Sequence, residues 1–394
     1  MIGAVEQRVA GKGRVFQLRL VPDMQMRVND RKIGHRPPLD RPPSGRPPHG
    51  LTIRNERRIK TCQTNFCLTS YRQQTGADVG RRWDARGDDV PIKASDRRKV
   101  GATALDLPVF GFGAAHLGEL YGLVDEAQSR ATLDGAWDAG VRYFDTAPWY
   151  GRGLSEHRLG GFLRTRPRAA FQITTKVGRT LHRPGDLARF SRAPWTGGLN
   201  FEVRFDYSYD GVMRSYEQAL QRLALDRVDA LVIHDLDVQF HGDQMAFHEK
   251  QLADSGMKAL AELKSSGDIK AFGMGINTGT SLATTATRVD LDFALVAMPY
   301  TLLEQSSLHT GMAVCVKRGV SVVIGAPFAS GILVTGSHSK ATYGYSAAPA
   351  EIQAKVRGIE AICESHGVAL PAAALQFVLA HPAVVSTFRG RRGR

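Results

Sequence analysis

From residue 107 onward, short apolar runs alternate with amphipathic stretches eight times over. The runs cover residues 107–112, 141–144, 171–175, 228–233, 269–273, 293–297, 320–324 and 383–387. Amphipathic stretches at 128–139, 155–164, 211–225, 255–266, 280–288, 304–318 and 349–366 separate them. A strand that must cross over through a helix pairs in parallel, and a parallel sheet is buried on both faces. Eight such units predict an α/β protein built as a closed (β/α)8 TIM barrel, for which about 250 residues is typical. An open dinucleotide-binding sheet is the competing architecture. It needs G-x-G-x-x-G after its first strand, and Gly111-Phe112-Gly113 lacks the third glycine.

The 394 residues extend well beyond that barrel. Three compositional regions are expected: a leader at 1–100, a barrel at 101–388 and a stub at 389–394. The leader holds 22 of the 52 basic residues and 10 of the 38 acidic ones, whereas residues 101–388 come out near −2. The net charge of +14 thus describes the ends and lends the barrel no nucleic-acid surface. Arg36-Pro37-Pro38, Arg41-Pro42-Pro43 and Arg46-Pro47-Pro48 repeat at a spacing of five. Proline at that density favours extended, unpacked chain, so the leader is expected to be disordered. After residue 387 only Phe388 and a basic stub follow, so the eighth helix is expected to be missing and apolar surface to show between the first and seventh helices.

Cys62 and Cys67 are spaced C-x4-C with no second pair nearby, so no metal site is expected. Neither a secretory segment nor an apolar run of membrane-spanning length is found, which points to a cytoplasmic protein.

Active sites of such barrels lie at the C-terminal ends of the strands. The second strand ends in Asp145-Thr146-Ala147-Pro148-Trp149-Tyr150-Gly151, the third in Thr175-Lys176, the fourth in His234-Asp235. A carboxylate, a phenol, an ammonium and an imidazole are thereby directed to one rim. Lys176 beside Tyr150 is expected to favour the phenolate and lower a pKa that is normally about 10. Asp145 would pair with Lys176, and His234 would donate to a substrate oxygen. Tyr150 would then exchange a proton with that oxygen as hydride arrives or leaves.

The runs Phe144-Asp145-Thr146-Ala147-Pro148-Trp149-Tyr150-Gly151, Thr174-Thr175-Lys176 and Leu231-Val232-Ile233-His234 resemble the aldo/keto reductase family from about 107 to 381. Asp206 to Ser215, Ile233 to Asp237 and Tyr300 to Gln305 resemble its branch of D-threo-aldose 1-dehydrogenases (L-fucose dehydrogenases) and pyridoxal 4-dehydrogenases. The resemblance implies an enzyme using NADP or NAD without metal, with Asp145, Tyr150, Lys176 and His234 as the catalytic tetrad. It implies a small-molecule substrate, a sugar or an aldehyde such as pyridoxal. Gly113, Ala114, Asp145, Asn277, Phe328, Ser330, Gly331 and Leu333 are the implied cofactor residues. Ala297 replaces a family glutamine and Gly325 a stacking tyrosine, with Phe328 the expected aromatic replacement. The family's adenosine-binding segment has no counterpart after residue 387, so weaker cofactor binding is expected. The long connection 178–206 is expected to be functional. Trp149 and Trp195 are candidates for the walls of the substrate pocket. Two other readings compete: an impaired remnant of the family, and a binding protein acting through the basic leader.

Overall fold

The computed structural model describes residues 15–19, 27–31, 92, 96–120, 122–344 and 346–389. The proline-rich repeats and Cys62 and Cys67 lie outside the described residues. Two compact units are present, Met1–Lys60 and Thr61–Arg394. In the first, Val15–Arg19 pairs antiparallel with Arg27–Arg31, a ladder not anticipated from the sequence.

The second unit holds a closed barrel of eight parallel strands. They are β1 (Phe110–Gly113), β2 (Tyr143–Asp145), β3 (Gln172–Val177) and β4 (Ala230–Ile233), followed by β5 (Ala271–Ile276), β6 (Phe293–Ala297), β7 (Ser321–Gly325) and β8 (Val384–Arg389). Each pairs with its sequence neighbours, and β8 closes on β1. All four residues of β4 are buried, as expected of a strand flanked by strands and covered on both faces.

The crossover helices include α1 (Glu126–Asp138), α2 (Leu154–Leu163), α3 (Tyr209–Leu223), α4 (Met257–Ser266), α5 (Gly279–Arg288), α6 (Gly311–Arg318), α7 (Ala350–Ser365) and α8 (Leu370–Leu379). Helix α3 shows how the sequence makes them. Ser208 caps it by accepting from the Gly211 N–H at 3.2 Å. Val212, Tyr216, Ala219 and Leu223 recur at helical spacing and are buried.

Several expectations need correction. The run 107–112 is not one strand. Asp106–Pro108 pairs antiparallel with Arg97–Lys99, and only Phe110–Gly113 enters the barrel. This hairpin crosses residue 100, and its Val100, Leu105 and Leu107 complete the cluster inside the barrel with Tyr143, Val232 and Phe293. Arg98 ties it down by donating to the Leu379 and Val384 carbonyls at 3.0 and 2.6 Å. The expected helix at 304–318 begins only at Gly311, because the Thr301 hydroxyl captures the Leu303 and Glu304 N–H groups in a turn. Helix α8 was not foreseen. Its sequence, LPAAALQFVL, has almost no polar face, so no helical period can be read from it.

Strand β8 runs one residue into the expected stub, to Arg389, and the buried Phe388 ring meets that of Tyr143 edge-on at 6.0 Å. Apart from Ile92, the large exposed apolar side chains among the described residues are Leu123, Leu187, Phe201, Val238, Phe240 and Phe247, which follow β1, β3 and β4 in the chain. Among the described residues no single helix is long and apolar enough to cross a membrane.

Candidate active site

Strand register brings the polar strand ends level with one another. Gly113 stands opposite Asp145, Asp145 opposite Thr174, and Lys176 opposite Val232. Asp145 and Lys176 are both fully buried, and the Lys176 Nζ donates to Asp145 Oδ2 at 2.6 Å. It also donates to the Thr146 carbonyl at 2.8 Å, while the Thr174 hydroxyl donates to Asp145 Oδ1 at 2.8 Å. A buried charge pair is tolerated when its remaining hydrogen-bonding capacity is met in this way. Burial works against the Lys176 ammonium, yet Asp145 and Tyr150 outweigh it and hold the lysine above its ordinary pKa.

Tyr150 follows on the loop after β2. Its position depends on a close backbone contact: a Cβ on Gly118 would lie 2.5 Å from the Tyr150 carbonyl carbon, and one on Gly151 only 2.6 Å from Gly118. Gly151 also has φ 64, so only glycine fits there without strain. The loop sets the Tyr150 ring with its centre 4.6 Å from Lys176 Nζ. The His234 ring lies edge-on to it at 5.9 Å. The four expected tetrad residues therefore meet in one place.

The expected direction of the tyrosine's shift is wrong. Burial raises the phenol's pKa more than Lys176 lowers it, and Tyr150 ends above its ordinary value. The lysine acts as anticipated, but desolvation is larger. His234 is held well below its ordinary pKa by burial, then by the nearby Arg179 and Lys176 cations, and is a neutral imidazole. Its Nδ1 is buried without a hydrogen-bond partner, as is Trp195 Nε1.

Trp195 is buried, with its ring 5.9 Å from Tyr150 and 5.7 Å from Trp149. Only Trp149 lines the cavity of about 600 Å³ beside the site; Trp195 stands behind it. The connection 178–206 forms much of that cavity. It carries a ribbon of Arg179–His182 paired antiparallel with Glu202–Phe205. Arg152 pins it by donating to the Ser191 and Phe201 carbonyls at 3.0 and 2.9 Å.

Residues 109–392 match the Aldo/keto reductase family. The chain belongs to that family. It is 42% identical over 310 residues to a pyridoxal 4-dehydrogenase of Microbacterium luteolum, covering 76% of this chain and 90% of the relative. A D-threo-aldose 1-dehydrogenase of a Pseudomonas species is 36% identical over 303 residues, covering 75% and 89%. An aldo-keto reductase from Bacillus halodurans shares the fold, with a TM-score of 0.57 at 24% identity over 75% of this chain and 86% of that one.

Members of this family are oxidoreductases that use nicotinamide cofactors, and the strand ends opposite the tetrad carry small residues. Gly275, Ala297 and Gly325 end or nearly end β5, β6 and β7. A Cβ on Gly325 would make ordinary contacts with Leu295 and Phe388 at 3.4 and 3.5 Å, and one on Gly275 with Ile233 and Val232 at 3.6 Å. Gly113 is buried at the end of β1, and the Ala114 carbonyl accepts from Ser155 Oγ at 2.7 Å.

The loop after β7 differs from the expected pyrophosphate wrap. Ala326, Ala329, Ser330 and Gly331 are all left-handed, at φ 53, 46, 60 and 100. However, the Ala329 N–H goes to the Ala326 carbonyl, and those of Gly331 and Leu333 go to Phe328. These donors are spent within the loop. Phe328 and Leu333 are buried in a cluster with Leu303 and Ile332, so Phe328 does not supply an aromatic face in place of the missing tyrosine. Asn277 is also engaged, its amide donating to Asp235 Oδ1 at 2.9 Å. Among the described residues no group of three or more His, Cys, Asp or Glu is arranged to hold a metal ion.

Two residues at the site escaped sequence reasoning. Arg179 is fully buried and bonds Asp235 Oδ2 at 2.9 Å. Glu156, at zero exposure, takes Arg222 Nε at 2.6 Å and the Thr175 hydroxyl at 2.7 Å, bracing β3 next to Lys176. A buried charge needs a partner, and the partners here come from elsewhere in the chain. The one available signal was Asp235 directly following His234.

Proposed function

We propose that this protein is an NAD- or NADP-dependent dehydrogenase acting on a pyridoxal-like or aldose substrate, with Tyr150 as its proton-transfer residue. One observation carries the reading: a buried Lys176–Asp145 pair sits 4.6 Å under the Tyr150 ring, with neutral His234 at its edge. The likeness to a pyridoxal 4-dehydrogenase and to a D-threo-aldose 1-dehydrogenase supports the substrate class.

Bound nicotinamide supplies or accepts the hydride; the protein orients and moves the proton. In oxidation the carbinol carbon loses a hydride, and Tyr150, as phenolate, takes the hydroxyl proton. In reduction the neutral Tyr150 gives its proton to the carbonyl oxygen as the C–H bond forms. Lys176 stays charged beside the phenol and favours its ionised form, and Asp145 fixes the lysine. His234, being neutral, can donate one hydrogen bond to the substrate oxygen without adding a charge. In this reading Gly113, Asn277 and Gly325 hold the nicotinamide end and Trp149 is a wall of the substrate pocket. A cytoplasmic setting fits the free, buried Cys315 and Cys363.

Because Tyr150 is pushed above its ordinary pKa, the neutral acid persists through neutral pH and the phenolate forms only in alkali. Reduction is therefore expected to hold its rate to higher pH, and oxidation to climb as pH rises. Assays of the purified chain with pyridoxal and a panel of aldoses, each with both cofactors and read by nicotinamide absorbance, test the proposal. No turnover with any of them, by a chain that still binds cofactor, would refute it.

A further inference from the structure

Asp235 is the residue after His234, and its backbone is left-handed at φ 49. That conformation is uncommon for a residue other than glycine, though asparagine and aspartate tolerate it best. Here it turns the carboxylate back across the barrel mouth, where side chains from two neighbouring strand ends receive it. Arg179, after β3, donates to Oδ2 at 2.9 Å, and Asn277, after β5, donates to Oδ1 at 2.9 Å. The same Oδ2 lies 3.3 Å from Nε2 of His234. Arg179 is itself clamped, its guanidinium 4.9 Å from the Phe205 ring and 5.2 and 5.3 Å from those of Trp149 and Phe240. The Tyr207 hydroxyl donates to the His234 carbonyl at 2.8 Å and fixes the backbone between the two residues.

A neutral imidazole has one proton and two nitrogens on which to place it. On Nε2 the proton lies on the nitrogen 3.3 Å from a carboxylate oxygen that does not capture it in a hydrogen bond, so the negative charge favours it there and it stays available to substrate. On Nδ1 it would be a buried donor without a partner, and the Nε2 lone pair would face that negative oxygen. The first arrangement is lower in energy on both counts. Arg179 has a second effect. Its charge offsets that of Asp235, so the carboxylate can orient the ring without drawing a second proton onto it.

We propose that Asp235, anchored by Arg179 and Asn277, is a positioning residue that keeps the proton of His234 on Nε2. The inference rests on the reading of His234 as a hydrogen-bond donor to substrate. It assigns Asn277 a duty toward the protein's own carboxylate, beside any it has toward cofactor.

The test is nitrogen NMR of the full chain with isotope-labelled histidine. The His234 signals are identified by their loss in His234→Gln. The wild-type protein is expected to show a single tautomer with the proton on Nε2. Asp235→Ala removes the carboxylate, and the double variant Asp235→Ala/Arg179→Met also removes the cation left unpaired, which guards against misfolding. In whichever variant keeps its circular dichroism, the His234 signals should shift to a mixture of tautomers. The turnover number should fall roughly 10- to 100-fold, the scale of a misplaced reacting group. A wild-type proton on Nδ1, or an unaltered Nε2–H signature in a folded variant, overturns the proposal. The spectrum needs neither substrate nor turnover, so failure of the oxidoreductase reading would leave this readout intact.

Discussion

The two halves of the barrel mouth differ in what their strands end with. Strands β2, β3 and β4 end in or run on to Asp145, Lys176 and the His234-Asp235 pair, which are buried, with the three charged groups partnered. Strands β5, β6 and β7 end in or near Gly275, Ala297 and Gly325, with little side chain at all. One half holds fixed charge out of water, and the other is built of small residues. Hydride chemistry needs both. Buried charge can move a proton only if it is paired in advance, and a flat ring can lie against it only where the opposite wall is short.

The sharpest way to break this comparison is on the charged half. Tyr150→Phe removes only the phenolic oxygen, and turnover should fall at least about 1,000-fold, the range of general acid–base catalysis. Cofactor affinity, measured by fluorescence quenching, should stay within about twofold, because the binding wall is untouched. Equal loss of both would mean that the two halves are not separable.

Lys176→Met should be nearly as damaging, and to stability as well. It leaves Asp145 charged and buried, which costs about 3–5 kcal/mol. Urea denaturation measures this, and the double variant Lys176→Met/Asp145→Asn should recover part of the loss. No recovery would show that the pair is not the source of the cost.

A third test concerns His381, just before β8, whose burial holds its pKa down at about 4. Its Nδ1 accepts from the Ala383 N–H at 3.3 Å, which protonation would end. Below about 6.5 the unfolded chain binds a proton that the folded one refuses. The stabilisation is complete above that pH and is lost as pH falls towards 4, amounting to about 3 kcal/mol from this residue. Urea midpoints across that window should fall more steeply for the wild type than for His381→Gln. Parallel curves would refute the assignment.

The smallest expected effect lies on the small-residue half. Gly325→Leu puts a branched side chain at the buried end of β7, where a Cβ already meets Leu295 and Phe388 at 3.4 and 3.5 Å. Cofactor affinity should drop about tenfold, or about 1.4 kcal/mol. Unaltered affinity would mean that the ring lies elsewhere.

The alternation of apolar runs and amphipathic stretches made all eight strands legible, because burial on both faces leaves the same mark on any parallel strand. It was least informative where that mark is blurred. Helix α8 is apolar nearly all round, and the hairpin strand Asp106–Pro108 merges with β1 into one apolar run. The tetrad was equally legible, since Asp145, Tyr150, Lys176 and His234 all stand at or just beyond strand ends whose places the alternation defines. Arg179 and Glu156 were not, since nothing local distinguishes a buried charge from an exposed one.

The order of strands and the four side chains at their ends were thus determined by residue pattern alone, which solvent and backbone geometry impose locally. The tertiary structure decided the rest: the upward shift of Tyr150, the neutrality of His234, the packing of Val100, Leu105 and Leu107 into the inner cluster and the Arg179–Asp235–Asn277 anchor. Each of these depends on desolvation or on a partner tens of residues away, and so exists only once distant segments have packed and excluded water.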